Sequence, residues 1–154
     1  MHYCLGIAFW RESGKTFITQ RKYAREILDT FQMSERKSVS TPLDQNVKLY
    51  NSNGSKEADG ALYHQLVGSL NYLTTTRPNL SYSVSILIQF LIKPCETHWK
   101  AAKQVLRYLK GTFNYVLLYT DVSDVQLAGY SDSDWEGNPN DRKSTSGYAF
   151  NIGS

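Results

Sequence analysis

The stretch of residues 97–111 constrains the fold more than any other part of the sequence, because its apolar side chains repeat at helical spacing. The repeat falls on Trp99, Ala102, Val105, Leu106 and Leu109. A stripe with this spacing predicts an amphipathic helix that buries one face. Thr97 is its predicted N-cap, and Gly111 stands where a glycine commonly ends a helix. The chain is therefore expected to contain a packed helical layer.

The same helix carries a row of basic residues beside its apolar stripe. They are Lys100, Lys103, Arg107 and Lys110. Positions three and four apart share one face of a helix, so these side chains form a single cationic stripe. From the residues alone, a solvated helix face is the interpretation that the stripe favours.

Apolar spacing predicts three more helices upstream of this one. The first covers residues 19–33, with Thr19 as a possible cap. The second follows leucines at positions 62, 66, 70 and 73, and the third opens at Pro78, since proline suits the first turn of a helix. Residues 38–59 contain Pro42, asparagine and glycine with little periodicity, so we predict an extended connector there.

Residues that favour β-structure flank the helices on both sides. Residues 3–9 and 15–19 predict a β-hairpin that turns at Glu12-Ser13-Gly14. Residues 115–120, 125–132 and 148–152 predict three consecutive strands of a second sheet. The fold class is therefore predicted to be α+β.

Composition excludes some classes of protein without selecting one. Lysine and arginine number 17 against 14 aspartate and glutamate, a net charge of +3 that permits a polyanionic partner without requiring one. Cys4 and Cys95 lie far apart, which argues against a zinc knuckle or a disulfide framework and fits a reducing compartment. No apolar run is long enough to cross a bilayer. We therefore expect a soluble, intracellular protein.

Two carboxylates are the best candidates for chemistry. Asp132 and Asp134 flank Ser133 at the end of a predicted strand, where alternation places both on one face. Such a pair suits Mg²⁺, which binds one or two carboxylates together with phosphate oxygens and water. A turn-forming or solvated role explains the pair equally well from the residues alone.

Histidines and aromatic residues carry weaker signals. His2, His64 and His98 show no metal-ligand spacing. Trp99, Trp135 and the 11 tyrosines have rings that can stack on exposed bases. Most of these rings fall on helical apolar stripes or within strands, which favours roles in the core.

Several long motifs run through nearly the whole chain. Near the C-terminus the motifs are Leu127-Ala128-Gly129-Tyr130-Ser131-Asp132-Ser133-Asp134-Trp135 and Asp141-Arg142-Lys143-Ser144-Thr145-Ser146-Gly147-Tyr148. Upstream they are Leu66-Val67-Gly68-Ser69-Leu70, Thr76-Arg77-Pro78 and the segment from Ala101 to Thr112. These motifs resemble the Pol polyproteins of copia-type retrotransposons. Leu5-Gly6-Ile7 and Gln20-Arg21-Lys22-Tyr23-Ala24 also resemble the reverse transcriptase of that family. The resemblance covers nearly the whole chain.

The resemblance implies three segments. Residues 1–59 would end the reverse transcriptase palm and thumb, residues 60–117 would form a helical connection, and residues 118–154 would supply the first strands of a truncated ribonuclease H domain. The partners would be an RNA–DNA hybrid or template–primer duplex and the rest of the Pol polyprotein, with no membrane. The expected locations are cytoplasmic particles and the nucleus.

The resemblance also implies roles for individual residues. Asp132 would be the first metal-binding aspartate of ribonuclease H, with Asp134 as the alternative or a supporting ligand. The basic stripe on residues 100–110 would track phosphates, and Arg142 and Lys143 would add to it. The family's Tyr-x-Asp-Asp element would lie upstream of Met1 and its later carboxylates downstream of Ser154, so we expect no polymerisation or cleavage by this chain alone. The alternatives are a non-catalytic nucleic-acid-binding remnant and a pseudogene product.

Overall fold

The computed structural model describes residues 1–44, 49–50, 54–120, 127–133 and 146–152. Its helices are α1 (Arg21–Thr30), α2 (Gly60–Leu73), α3 (Ser81–Ile88) and α4 (Glu96–Gly111). Its strands are β1 (His2–Cys4), β2 (Ile7–Glu12), β3 (Lys15–Thr19), β4 (Leu117–Thr120), β5 (Leu127–Ser133) and β6 (Ser146–Ile152). The predicted α+β class is confirmed.

The hydrophobic core lies between the helices. Leu66 and Leu70 of α2, and Leu106 and Leu109 of α4, are completely buried, and the inner face of α1 packs against them. In the described part of the chain, this buried cluster draws its members from the helices and the adjoining loops, and none from the strands. The helical spacing read from the sequence therefore identifies the residues that hold the body of the molecule together.

The ends of the helices differ in detail from the predicted ones. Thr19 belongs to β3 rather than capping α1, whose N-cap is Gln20. The N-cap of α4 is Cys95 instead of Thr97. Pro78 opens a short 3₁₀ helix, Pro78–Leu80, which leads directly into α3. The exact ends of helices are the least predictable part of a helix. Here β3 continues to Thr19, so the helix begins one residue later than predicted from that cap.

His98 takes part in the cap at the start of α4. Its Nδ1 accepts a hydrogen bond from the Cys95 N–H at 3.1 Å, and its Nε2 donates to the carbonyl of Tyr50 at 3.0 Å. The ring is buried and stacks on Phe90. Burial lowers the pKa of His98 below its ordinary value of 6.5, so the ring stays neutral at physiological pH.

The N-terminal strands form a meander rather than a single hairpin. The predicted turn at Ser13-Gly14 is confirmed, and both residues have positive φ, 49° and 72°. A second turn at Leu5-Gly6, with φ of 48° and 77°, divides the first predicted strand into β1 and β2. Two successive residues with positive φ suit a two-residue turn between antiparallel strands. Tyr72 of α2 donates a hydrogen bond to the Leu5 carbonyl and so joins this turn to the helices.

The three later strands do not form one sheet, which corrects the prediction. β4 pairs antiparallel with β3, giving a four-stranded sheet in the order β1-β2-β3-β4, while β5 and β6 pair with each other. The four-stranded sheet therefore combines strands from both sides of the helical region. The domain boundaries near residues 59 and 117 stay predictions.

No helix in the described residues is long and apolar enough to cross a membrane. The longest helix, α4, has 16 residues and carries the basic stripe along one face. That stripe, rather than an apolar surface, is the feature of α4 that faces outward from the core.

Candidate nucleic-acid interface

The four predicted basic residues all lie on α4 and divide into two pairs by what they contact. Lys100 is exposed, and Lys103 is half-buried over the ring of Trp99, with Nζ 5.2 Å from the ring centroid. Arg107 and Lys110, one and two turns further on, are half-buried and turn toward the chain that follows α1. The stripe is therefore not uniform, and only its first half is free of contacts with backbone carbonyls.

Arg107 and Lys110 anchor the segment that leads away from α1. Arg107 Nε donates to the carbonyl of Lys37 at 2.7 Å, and Lys110 Nζ donates to the carbonyl of Arg36 at 2.8 Å. Just beyond, a Cβ on Gly111 would lie 3.0 Å from the Ser38 Cβ, so the glycine permits this close approach. These contacts hold residues 36–38 against α4, and a role in phosphate binding would come in addition to that.

The anchored segment and α4 enclose a cleft of about 590 Å³, which we call the basic cleft. It is lined by Phe31, Gln32, Met33, Arg36, Lys37, Lys100, Lys103, Gln104 and Arg107. Five of these nine side chains are cationic and none carries a carboxylate. Cations gathered in one cleft without a carboxylate among them raise the local positive potential and attract polyanions.

Sequence reasoning found three of the five cations and missed Arg36 and Lys37. Helical spacing groups residues on one element, whereas these two lie on a loop that returns along α4. Their only signal in the sequence is the adjacent pair Arg36-Lys37 after the first helix. Nothing in that pair shows which surface the loop will reach.

The aromatic residues near the cleft belong to the packing between helices. The rings of Phe31 and Trp99 meet edge to face with centroids 6.3 Å apart, and Tyr63 of α2 lies 6.5 Å from Trp99. Trp99 is partly buried against the core. The structure therefore gives Trp99 the core role that its position on the helical stripe indicates, while Phe31 lines the cleft.

A second group of arginines lies at the C-terminal end of α4, outside the basic cleft. Arg77 is 5% exposed, and its guanidinium donates to Asn79 Oδ1 at 3.2 Å and to Thr112 Oγ1 at 2.5 Å. Burial lowers the pKa of Arg77 from its ordinary value. Arg21 and Arg25 lie over the ring of Phe113, 5.9 Å and 5.4 Å from its centroid. Arg77 thus ties the turn before α3 to the end of α4.

The remaining predicted site residues lie toward the C-terminus. Asp132 is on β5, opposite Gly147 of β6. Asp134, Arg142 and Lys143 lie outside the described residues. Within the described residues, no three histidine, cysteine, aspartate or glutamate side chains come together as metal ligands. One backbone position on β5 does not make a magnesium site, so the metal ligands stay a prediction from the resemblance.

In comparisons with known proteins, the chain matches parts of much longer proteins. Over 153 residues, 99% of the chain, it is 40% identical to the retrovirus-related Pol polyprotein from transposon RE2 of Arabidopsis thaliana, and the match covers 10% of that protein. It is 39% identical to the corresponding polyprotein from transposon TNT 1-94 of Nicotiana tabacum, over 96% of the chain and 12% of that protein. The chain thus spans about a tenth of the length of these polyproteins.

A shorter relative shows the same similarity. An uncharacterised mitochondrial protein of Arabidopsis thaliana is 38% identical over 99% of the chain, which covers 63% of that protein. No family model matches the chain. No solved structure matches it.

Proposed function

The chain belongs to the copia-type retrovirus-related Pol polyproteins, and from this membership we propose that it is the segment that holds an RNA–DNA hybrid between reverse transcriptase and ribonuclease H. The observation that carries the proposal is the basic cleft, whose lining contains five cationic residues and no carboxylate. Phosphate contacts of this kind position a nucleic acid without reading its sequence. The partners would be a hybrid or template–primer duplex and the rest of the polyprotein.

Within this proposal each part of the chain has a task. The strands β1 to β3 and helix α1 would complete the polymerase, helices α2 to α4 would form the connection, and β5 and β6 would begin the ribonuclease H domain. Asp132 would be a magnesium ligand of the intact enzyme, with Asp134 beside it in sequence. Catalysis would then belong to the whole polyprotein, acting in cytoplasmic particles or the nucleus, and binding would belong to this segment.

The proposal is tested by the salt dependence of binding to an RNA–DNA hybrid. Replacing Lys100 and Lys103 with glutamine is expected to reduce the slope of log K against log salt by about 1 to 2, because each lost phosphate contact removes roughly 0.7 to 0.9. The affinity of this variant for the hybrid should also fall, most strongly at low salt. Fluorescence anisotropy with a labelled hybrid over a series of salt concentrations measures both quantities.

Two design choices make this test specific. Arg107 and Lys110 are left intact, because they hold the carbonyls of residues 36 and 37 and their loss would disturb the cleft itself. The matched control replaces Lys15 and Lys93, two exposed lysines outside the cleft, and should leave the slope unchanged. An unchanged slope in the cleft variant would reject the cleft as a phosphate-binding surface.

A non-catalytic binding module is the second candidate. The observation that favours it is the mitochondrial relative, in which a segment similar to this chain accounts for 63% of a short protein. Sequencing the full transcript and genomic flanks separates the two candidates. Flanking codons for Tyr-x-Asp-Asp and for the later carboxylates would support the enzyme segment, in-frame expression of the segment alone would support the module, and stop codons on both sides would support a pseudogene product.

A further inference from the structure

The basic cleft has the volume of a site for small ligands. That volume, about 590 Å³, suits unpaired nucleotides and is far smaller than a duplex. Clefts in this range of volume hold small organic ligands in proteins. A duplex could therefore lie along the rim of the cleft, while only single-stranded residues could enter it.

Gln32 occupies a backbone position that glycine would occupy at lower cost. Met33 N–H donates to the Leu28 carbonyl at 2.8 Å, and Gln32 N–H donates to the Asp29 carbonyl at 3.1 Å. This pair of bonds is a Schellman motif, in which the residue after the C-cap is usually glycine. Gln32 has φ of +54°, a left-handed conformation that is strained for a residue with a side chain.

The strained residue lines the basic cleft. Gln32 is exposed and lines the cleft together with Gln104 of α4. Neither side-chain amide has a hydrogen-bond partner among the residues that the structure describes. Two amides without partners at a ligand-sized cleft supply the donors and acceptors that base edges require.

The surroundings of the two amides suit a nucleotide. Phe31 contributes an aromatic ring at one side of the cleft, and the cations Lys100, Lys103 and Arg107 line it from α4. Sites for single-stranded nucleic acid combine cations that follow the backbone with aromatic rings on which bases stack. Glutamine amides form paired hydrogen bonds with adenine and single ones with other bases.

We propose that the basic cleft seats unpaired nucleotides of a single strand, with Gln32 and Gln104 contacting the base edges and the surrounding lysines and arginines holding the phosphates. This inference rests on the proposed function, because the strand would be the unpaired extension of a bound hybrid. It adds that the cleft distinguishes a hybrid with a single-stranded overhang from a blunt one.

The test compares two labelled probes, a blunt RNA–DNA hybrid and the same hybrid with a short single-stranded overhang. The chain should bind the overhang probe about tenfold more tightly, the size of one or two good base contacts. Gln32→Gly and Gln104→Ala should each narrow that preference to about twofold, since each removes one amide. Gln32→Gly should at the same time raise the melting temperature by about 2 to 4 °C, because glycine adopts the left-handed conformation without strain.

Gln65→Ala is the matched control, because Gln65 is an exposed glutamine of α2 outside the cleft, and it should leave the preference intact. Equal affinity of the chain for the two probes would overturn the inference while leaving hybrid binding standing. An undiminished preference in both cleft variants would also overturn it. Failure of the chain to bind either probe would overturn the proposed function with it.

Discussion

Replacing Leu106 with alanine is expected to lower the free energy of unfolding by about 3 kcal/mol, within the range for leucines removed from a packed core. Leu106 is completely buried on α4, at the centre of the cluster that joins the helices. The cluster around it draws side chains from all four helices, and the cavity left in such a core is expected to close only in part. Denaturant unfolding followed by circular dichroism at helical wavelengths measures the change.

Phe150→Ala is the control for Leu106→Ala, because it removes a large side chain from an exposed strand position instead of from the core. Phe150 lies on β6 and is 68% exposed, so its loss should change the free energy of unfolding by no more than about 0.5 kcal/mol. The contrast tests whether the helical body carries the stability. Equal losses in the two variants would show that the β5–β6 hairpin belongs to the same cooperative unit and would contradict a core confined to the helices.

Trp99→Ala is expected to cost about 3 kcal/mol of unfolding free energy, because the indole joins three helices or their ends. Its ring contacts Phe31 after α1 and Tyr63 of α2, and it supports Lys103 on its own helix. Trp99→Phe keeps an aromatic ring in the same place and should cost only about 1 kcal/mol. Thermal and denaturant unfolding of the two variants provides the measurement.

The phenylalanine variant also distinguishes packing from base stacking. If Trp99 serves the core, Trp99→Phe should bind an RNA–DNA hybrid within about twofold of the unaltered chain, since one stacked base alone contributes roughly 1 to 3 kcal/mol. A much larger loss of affinity in a stably folded Trp99→Phe protein would assign the indole to the nucleic acid instead.

The helices were predictable because the signals that define them are local. The leucines at positions 66, 70 and 73 and the stripe from Val105 to Leu109 are buried as their spacing requires. The hairpin turn at Ser13-Gly14 was predictable for the same reason, since a two-residue turn needs residues that tolerate positive φ. In these elements the neighbours in sequence decide the conformation.

Features that depend on distant parts of the chain were not predictable. β4 forms its backbone hydrogen bonds with β3, about a hundred residues earlier in the chain. Nothing in the sequence of either strand indicates that the two would pair. The Leu5-Gly6 turn lies within a run of β-forming residues, where only Gly6 hints at a break. The turn also makes tertiary contacts, among them the hydrogen bond that Tyr72 donates to the Leu5 carbonyl.

The candidate site divides in the same way. The cations of α4 were predicted from helical periodicity. Arg36 and Lys37 lie at the cleft because their backbone carbonyls accept hydrogen bonds from Lys110 and Arg107. Gln32 gave no signal, because its strained conformation results from how α1 ends and is not encoded by residue type. The basic cleft is thus a product of packing between a loop and a helix.

Mapping photo-induced cross-links between the chain and an RNA–DNA hybrid tests most directly whether the basic cleft is the nucleic-acid interface. A hybrid that carries a photoreactive base is irradiated in complex with the chain, and the cross-linked peptides are identified by mass spectrometry. We expect the cross-links to fall in the segments 31–37 and 100–107, which contain the residues that line the cleft. Cross-links confined to the strands, with none in these two segments, would contradict the account.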